Sequence, residues 1–300
     1  MIENFDIKNK IISSKVHDYP FKHIVIEDFL PNSLYLQTEK MFSDKFLLSK
    51  LNSKKENSSN QALSLSLLES DVFKYGKENY SETFQMLDFF YSDELNSTLY
   101  ALFGDYLIDI YRKGTKSKNL SQDFCSYVKT SKLTEINSNK SLENDSDLSL
   151  YTAISFAINT PSFGLPSSVR DIHIDSPNKL FNCLFYLRRP DDDYAGGDLI
   201  LYRFKNNKII LNNNVYASHE DCISSKVIPY KANTLFLFIN SLTSLHGVIE
   251  RSNVPLERRY INISGSFKNN QFEVNKYQNN KKKIFQSIKN KIRNSLKAIK

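Results

Sequence analysis

The sequence predicts an α+β protein whose core is a double-stranded β-helix, or jelly roll, with helices packed outside it. From residue 151 onward the apolar pattern has a period of two, in short runs separated by turn residues such as Ser-Pro-Asn and Ala-Gly-Gly. Before residue 151, apolar residues recur at roughly helical spacing. Many short strands after a helical lead-in are typical of an antiparallel double-sheet barrel.

The N-terminal part, residues 1–112, is predicted to supply one strand and the supporting helices. The strand is HIVIEDF, and a proline-marked break and a helix follow it. A second helical region at about 80–103 is predicted to end at Gly104. Residues 46–70 are rich in Ser, Asn and Lys and look like a loop with marginal helix. Residues 113–150 are equally polar and are predicted to form an insertion.

The core is predicted over residues 151–270, because seven strand-like runs follow one another there. No G-x-G-x-x-G or Walker-type loop and no internal repeat accompanies them. The runs are YTAISFAI, LFNCLFYL, DLILYRF, KVIPY, TLFLFIN, LHGVIE and RYINISGSF.

The last segment, residues 271–300, is predicted to be a basic amphipathic helix. Eight Lys and Arg293 lie in 276–300 without any acid, so this segment accounts for more than the net charge of +7. The remainder of the chain is therefore near neutral, and no specific nucleic-acid binding is expected. A weak contact with an anionic membrane through 276–300 is one interpretation. We favour the other, a surface helix with its apolar stripe on the domain.

The sparse cysteines indicate a reducing compartment. Cys125, Cys183 and Cys222 are scattered without a C-x-x-C pair, which argues against a disulfide framework. The N-terminus lacks the apolar run of a signal peptide, and no segment is long and apolar enough to span a membrane. A soluble, cytoplasmic protein is expected.

A candidate metal site centres on the H-x-D pair His173 and Asp175. Residues i and i+2 of an extended chain project to the same side, so both side chains can reach one ion. His246, just after the apolar run TLFLFIN, is the candidate third ligand. Two imidazoles and one carboxylate suit Fe(II) and leave positions open for chemistry. A second H-x-D, His219 and Asp221, lies in a polar stretch and is interpreted as a surface loop.

Several motifs occur in an order that carries a family resemblance. They are HIDSPN, LFNCLFYL, AGGDLILY, a proline before TLFLFIN, LHGV and RRYINISGSF. Residues 151–267 resemble the catalytic domain of 2-oxoglutarate/Fe(II)-dependent dioxygenases, in the prolyl 4-hydroxylase-like branch. The lead-in PFKHIVIEDFLP is similar to the opening of many bacterial members. Ser176 departs from the family pattern, where Asn is frequent, and the interval from the second His to the Arg is longer than usual.

The resemblance implies a hydroxylase that uses Fe(II), 2-oxoglutarate and O2, with ascorbate as a supporting reductant. His173, Asp175 and His246 would be the catalytic iron ligands. Tyr186 and Arg259 would bind 2-oxoglutarate, the cosubstrate that such enzymes convert to succinate and CO2.

Arg258 competes with Arg259 for the cosubstrate. A guanidinium at this place can hold a carboxylate through a bidentate fork. We prefer Arg259 because strand alternation puts it on the same side as Ile261 and Ile263, a side expected to face the barrel interior.

The sequence leaves the substrate open. Prolyl or peptidyl, amino-acid, sugar and other small-molecule substrates all fit such a scaffold. The alternative function is a non-catalytic cupin or jelly-roll protein that binds a ligand and keeps a vestigial metal site. The sequence does not indicate an oligomeric state.

Overall fold

Two antiparallel sheets and a set of helices build the protein in the computed structural model. The structure describes residues 5–53, 62–115, 130–132, 149–159, 170–212, 215–251 and 253–275. The larger sheet lies between the helices on one face and the smaller sheet on the other.

Within the described residues, the α-helices come before the strands of the core. They are α1 (Ile7–Ile12), α2 (Asn32–Lys40), α3 (Lys45–Ser53), α4 (Ser70–Asn79), α5 (Ser81–Asp88), α6 (Asp93–Phe103) and α7 (Asp105–Thr115). Local side chains fix several of their ends. Asp6 accepts the backbone N–H of Asn9 at the start of α1, and Asp44 accepts that of Leu47 in α3. Helix α6 ends at Gly104, as predicted, where φ is +45°.

The strands of the described residues form two sheets. The strands are β1 (His23–Ile26), β2 (Ala62–Ser66), β3 (Thr130–Lys132), β4 (Leu150–Asn159), β5 (Lys179–Tyr186), β6 (Leu199–Phe204), β7 (Cys222–Ile228), β8 (Thr234–Ile239), β9 (His246–Val248) and β10 (Arg258–Ser266). The larger sheet has the order β1-β8-β5-β10-β4-β2, and β3 runs parallel beside β4. The smaller sheet has the order β7-β6-β9.

Alternation along the central strands separates two cores. On β5, Cys183 and Phe185 pack with the helices, whereas Leu184 and Tyr186 pack against the smaller sheet. Strand β8 follows the same rule, since its Leu and Ile residues face the helices and its two Phe residues face the other sheet. This regular alternation explains the period of two in the sequence.

The N-terminal half contains more regular structure than its polarity predicts. Residues 46–70, expected to be a loop with marginal helix, contain most of α3 and all of β2. The helical region expected at 80–103 consists of two helices, α5 and α6, joined by a short 3-10 turn. Strand β2 is ALSLS, whose two leucines are buried against the helices while its serines alternate with them.

Some predicted segments lie outside the described residues. These are Cys125, most of the insertion at 113–150 and the basic segment 276–300. Within the insertion, β3 pairs with the first residues of β4. Among the described residues, no helix is long and apolar enough to cross a membrane.

Candidate functional site

The structure brings the three predicted metal ligands together. His173 and His246 lie opposite each other on neighbouring backbone segments, and each donates its N–H to the other's carbonyl at 2.9 Å. Asp175 is two residues along from His173. One ligand atom from each of the three side chains lies within 4.8 Å of the other two. All three residues are buried, with 2–5% of their surface exposed.

Both histidines are held in the tautomer that a metal requires. His173 Nδ1 lies 2.6 Å from the carbonyl oxygen of Asp171, and His246 Nδ1 lies 2.9 Å from that of Ser244. A carbonyl oxygen only accepts hydrogen bonds, so each Nδ1 carries the proton and each Nε2 keeps a lone pair. Backbone carbonyls play this orienting role for many metal-ligating histidines.

Burial keeps these imidazoles neutral. Desolvation, followed by the neighbouring His246, lowers the pKa of His173 to about 3. Desolvation also lowers the pKa of His246. A neutral imidazole is the form that binds a metal, so no proton has to leave at neutral pH.

Asp175 is an ionised carboxylate with different neighbours at its two oxygens. Asn182 Nδ2 donates to Oδ2 at 2.9 Å. Near Oδ1, Arg170 Nη1 lies at 3.5 Å and Lys179 Nζ at 3.6 Å. Burial alone would raise the pKa of Asp175, but the positive charge of Lys179, followed by the two neighbouring imidazoles and then Arg170, brings it well below its usual range. The charged groups around Oδ1 thus favour the anion that a cation would bind.

The donor set fits a transition-metal ion such as Fe(II). Two neutral Nε2 atoms and one carboxylate converge from two adjacent segments, which is the donor set of the two-histidine, one-carboxylate facial triad. Within the described residues, no other group of three His, Cys, Asp or Glu side chains has this arrangement.

A second buried polar cluster surrounds Arg258, between the two sheets and near the far end of β5. The Arg258 guanidinium carbon lies 5.0 Å from the ring centres of Tyr186 and Tyr230 and 4.9 Å from that of Tyr260. Its Nε donates to the carbonyl of Gly197 at 2.8 Å. The cation is thus held against three aromatic faces.

Two donors of this cluster make no hydrogen bond in the described part of the chain. They are Arg258 Nη2 and the hydroxyl of Tyr186, and both are buried. Burial raises the pKa of Tyr186 to about 12, against the opposing charge of Arg258, so the phenol keeps its proton. Leaving buried donors unsatisfied is costly, and a bound carboxylate would satisfy both.

The glycine turn before β6 supports this cluster. Gly196 and Gly197 have φ of +84° and +85°, which favours glycine. A Cβ on Gly196 would lie 2.1 Å from the carbonyl oxygen of Glu250. The close approach brings the Gly197 carbonyl to Arg258, so the Gly-Gly motif positions the cation.

The structure places Arg259 on the helical side of β10, away from the smaller sheet. Arg259 does share its face of β10 with Ile261 and Ile263, but that face packs against the helices. The guanidinium pairs with Glu257, where Nε donates at 2.7 Å, and with Glu39 at 3.1 Å.

The register of β10 explains the difference. Tyr260 lies directly opposite Tyr186, and opposite residues project to the same face of a sheet. Arg258, two residues before Tyr260, therefore points with Tyr186 into the space between the sheets. Alternation correctly groups residues by face, but it does not show which face lies toward the smaller sheet.

The rival histidine lies on the surface. His219, in a short 3-10 turn, has 69% of its side chain exposed and pairs with Asp171 Oδ1 at 2.8 Å. Cys222, which follows this turn, is a buried filler between the smaller sheet and its covering loop.

Sequence reasoning missed four residues of the site, one of which is Lys179, whose Nζ lies 3.6 Å from Asp175 Oδ1. Arg170 and Asn182 contact Asp175, and Tyr230 packs on Arg258. Asn182 and Tyr186 have the spacing of residues on the same face of β5, so strand alternation could have indicated Asn182. Nothing in the sequence singles out Tyr230, whose contact with Arg258 joins residues far apart along the chain, or Arg170, which lies three residues before His173 and outside the H-x-D pattern.

Comparison with known proteins finds solved structures only. No family model matches the chain, and no curated protein matches it. Structural neighbours include prolyl 4-hydroxylases, a putative oxygenase from Shewanella oneidensis and a dioxygenase for auxin oxidation in rice.

The likeness is distant. The prolyl 4-hydroxylase of Phytophthora capsici is 16% identical with a TM-score of 0.41, and the match covers 89% of this chain and 68% of that one. That of Pseudomonas putida is 11% identical with a TM-score of 0.39, and the match covers 87% and 97%. A Trichoplax adhaerens prolyl hydroxylase, in complex with a peptide fragment of hypoxia inducible factor, is 14% identical with a TM-score of 0.41, covering 87% and 88%.

Proposed function

We propose that the protein is an Fe(II)- and 2-oxoglutarate-dependent dioxygenase that hydroxylates an unactivated C–H bond of its substrate. The observation that carries the proposal is the convergence of two Nε2 lone pairs and one carboxylate, with both histidine tautomers fixed by backbone carbonyls. The two sheets around this site would be the halves of a double-stranded β-helix.

His173, Asp175 and His246 would hold the iron. When bound, Fe(II) supplies activation of O2 coupled to oxidative decarboxylation of 2-oxoglutarate to succinate and CO2. Burial keeps the two imidazoles neutral, and the carbonyls of Asp171 and Ser244 accept their Nδ1 protons and so leave each Nε2 as the ligand atom. Asn182 orients the carboxylate through Oδ2, so Oδ1 is the oxygen directed at the cations. The burial of all three ligands excludes water from the reacting atoms.

Arg258 and Tyr186, rather than Arg259, would hold the far carboxylate of 2-oxoglutarate. Their unsatisfied buried donors supply the charge-assisted hydrogen bonds that a carboxylate accepts. Asn182, beside the metal ligands, and Tyr186 face the same side of β5 and are separated by about 13 Å of strand. If one carboxylate of 2-oxoglutarate binds the metal, the other carboxylate would therefore extend toward the guanidinium of Arg258.

The direct test is substrate-free release of succinate by the full-length protein with Fe(II), 2-oxoglutarate and ascorbate. We expect slow turnover in the wild type, loss of it in His173→Ala, and retention in the matched control His219→Ala. Metal binding without any turnover would instead favour the non-catalytic cupin-like protein. If His219→Ala loses turnover and His173→Ala keeps it, the assignment of the site is wrong.

The proposal also covers the substrate class, the cellular location and a possible membrane contact. A peptidyl or small-molecule substrate would meet the site, and a screen scored by stimulated 2-oxoglutarate consumption would identify its class. The cytoplasmic location remains a prediction, as does a weak contact of 276–300 with anionic membranes. Association with anionic vesicles at two salt concentrations tests that contact, because electrostatic attraction weakens as salt rises.

A further inference from the structure

Tyr230 lies at the corner where the chain passes from the smaller sheet to the larger one. Strand β7 ends at Ile228, and β8 begins at Thr234. The Tyr230 side chain is fully buried in the core between the two sheets. Neither the proposed metal binding nor the proposed cosubstrate binding uses one of its atoms, yet its ring lies among charged side chains.

Hydrogen bonds fix Tyr230 at three points. Its backbone N–H donates to Asp198 Oδ1 at 2.7 Å, and its carbonyl accepts from Arg188 Nη1 at 3.1 Å. Its hydroxyl accepts the backbone N–H of Arg259 at 2.7 Å. Because Arg259 is the second residue of β10, this last bond holds the start of that strand. The position of the ring is therefore fixed relative to Arg258, the first residue of the strand.

The ring contacts both residues proposed to bind the far carboxylate of 2-oxoglutarate. Its centre lies 5.0 Å from the guanidinium carbon of Arg258. It also lies 5.5 Å from the ring centre of Tyr186, and the two rings are nearly perpendicular at 84°. Both distances are in the range of favourable cation–π and edge-to-face aromatic contacts. One side chain thus restricts the positions of both donors.

Three guanidinium groups surround this ring, and they differ in their partners. The guanidinium carbons of Arg188 and Arg251 lie 5.4 and 5.7 Å from the ring centre. Their Nη2 atoms lie 3.6 and 2.7 Å from Asp192 Oδ1. The contacts of Arg258 are instead with neutral groups, chiefly the aromatic rings and the carbonyl of Gly197. Neutral contacts hold a guanidinium in place without neutralising it, so Arg258 keeps the charge that a carboxylate binds.

We propose that Tyr230 is a positioning residue for the cosubstrate, which holds the Arg258 guanidinium and the Tyr186 phenol in the orientation that receives the far carboxylate of 2-oxoglutarate. The inference rests on the proposed function and adds a residue that acts through the two donors. The ring acts on Arg258 directly, and the hydroxyl acts on the start of β10. Donors that are fixed in advance lose less freedom when the carboxylate binds, which increases its affinity.

The variants Tyr230→Leu and Tyr230→Phe of the full-length protein test this role in substrate-free succinate release. Leucine keeps an apolar side chain but removes the ring, whereas phenylalanine keeps the ring and removes only the hydroxyl. A desolvated cation–π contact corresponds to about 30-fold in affinity. We therefore expect Tyr230→Leu to raise the KM for 2-oxoglutarate about 10- to 30-fold and Tyr230→Phe no more than about fivefold. The kcat at saturating 2-oxoglutarate should stay within about twofold, because the lost contact is one of uniform binding.

Tyr80→Leu is the matched control. Tyr80 is half-buried among the helices, and its hydroxyl donates to Asp44 Oδ2 at 2.8 Å. This substitution also removes a ring and a hydroxyl hydrogen bond, so it should lower the free energy of unfolding without raising the KM. A second readout needs no turnover, namely the stabilisation of the Co(II)-loaded protein by 2-oxoglutarate in urea. That stabilisation should shrink in Tyr230→Leu and persist in Tyr80→Leu, while both proteins bind Co(II) within about twofold of the wild type.

An unchanged KM and unchanged stabilisation by 2-oxoglutarate in a folded Tyr230→Leu protein overturn the inference and leave the dioxygenase standing. An equal rise of KM in Tyr230→Phe and Tyr230→Leu overturns the role of the ring. A loss of Co(II) affinity in Tyr230→Leu as large as the rise of its KM shows a general structural defect and also overturns it. If Tyr230→Leu does not fold, Tyr230→Met carries the same prediction, since its flexible side chain fills irregular space. If the wild type neither releases succinate nor is stabilised by 2-oxoglutarate, the proposed function itself fails.

Discussion

Arg258 and Arg259 are adjacent in the sequence but face opposite sides of β10, so alanine at each position should give a different defect. Arg258 is 4% exposed and keeps Nη2 unsatisfied between the sheets. Hydrogen bonds to charged groups contribute about 1.5–3 kcal/mol. Arg258→Ala is therefore expected to raise the KM for 2-oxoglutarate roughly 10- to 150-fold.

Arg259→Ala is the matched control for this experiment. Arg259 is 5% exposed and pairs with Glu39 and Glu257, whose side chains are 23% and 22% exposed. Its removal leaves two half-buried carboxylates without this cation, at a cost of about 1–3 kcal/mol in the free energy of unfolding. Its KM for 2-oxoglutarate is expected to stay within about twofold of the wild type, because its guanidinium lies on the helical side.

Steady-state 2-oxoglutarate consumption gives the KM of each variant, and urea unfolding gives its free energy of unfolding. The stabilisation of the metal-loaded protein by added 2-oxoglutarate gives a second readout that does not need turnover. That stabilisation should be lost in Arg258→Ala and kept in Arg259→Ala. A raised KM in Arg259→Ala with an unchanged KM in Arg258→Ala would refute the assignment of the two faces.

Three further predictions concern other parts of the fold. Asn182→Ala removes the 2.9 Å hydrogen bond to the carboxylate ligand and should lower Co(II) affinity about 10- to 100-fold by calorimetry; an unchanged affinity would contradict its orienting role. Gly196→Ala places a Cβ 2.1 Å from the Glu250 carbonyl at φ of +84° and should lower the free energy of unfolding by more than about 1 kcal/mol, whereas Ala195→Gly, next to it, should change it less. His23 is buried, and desolvation lowers its pKa from 6.5 to about 4, so the unfolded chain binds its proton first as pH falls. His23 should therefore contribute about 3 kcal/mol to the loss of stability between pH 6.5 and pH 4, and His23→Asn should reduce the slope of the urea-unfolding profile over this range by that amount.

The sequence predicts the cluster of His173, Asp175 and His246 better than it predicts which arginine faces the space between the sheets. The H-x-D pair and the distant histidine can be recognised from residue types alone. The fold then needs only to bring two segments of the chain together. His173 and His246 meet because their backbones pair directly. The choice between Arg258 and Arg259 depends on which face of β10 is enclosed, and both faces carry apolar residues because each is covered. When both faces of a strand are buried, the apolar pattern does not indicate which face lies between the sheets.

Elements that depend on tertiary pairing were also missed. Strand β2 is a short alternation of Ser and Leu in a polar segment, so its pattern is weak. Its partner β4 begins far along the chain. Strand β3 has only three residues and pairs with the start of β4. Such short strands are stabilised by the sheet they join rather than by their own propensity.

Anomalous diffraction at the iron edge, from crystals grown with Fe(II) under anaerobic conditions, tests the central claim most directly. The account predicts a single strong peak per chain, within about 2.2 Å of His173 Nε2, His246 Nε2 and one oxygen of Asp175. The peak should be absent from His173→Ala crystals and present in His219→Ala crystals. A peak elsewhere in the chain, or none in the wild type at saturating iron, would contradict the assignment of these three residues as a metal centre.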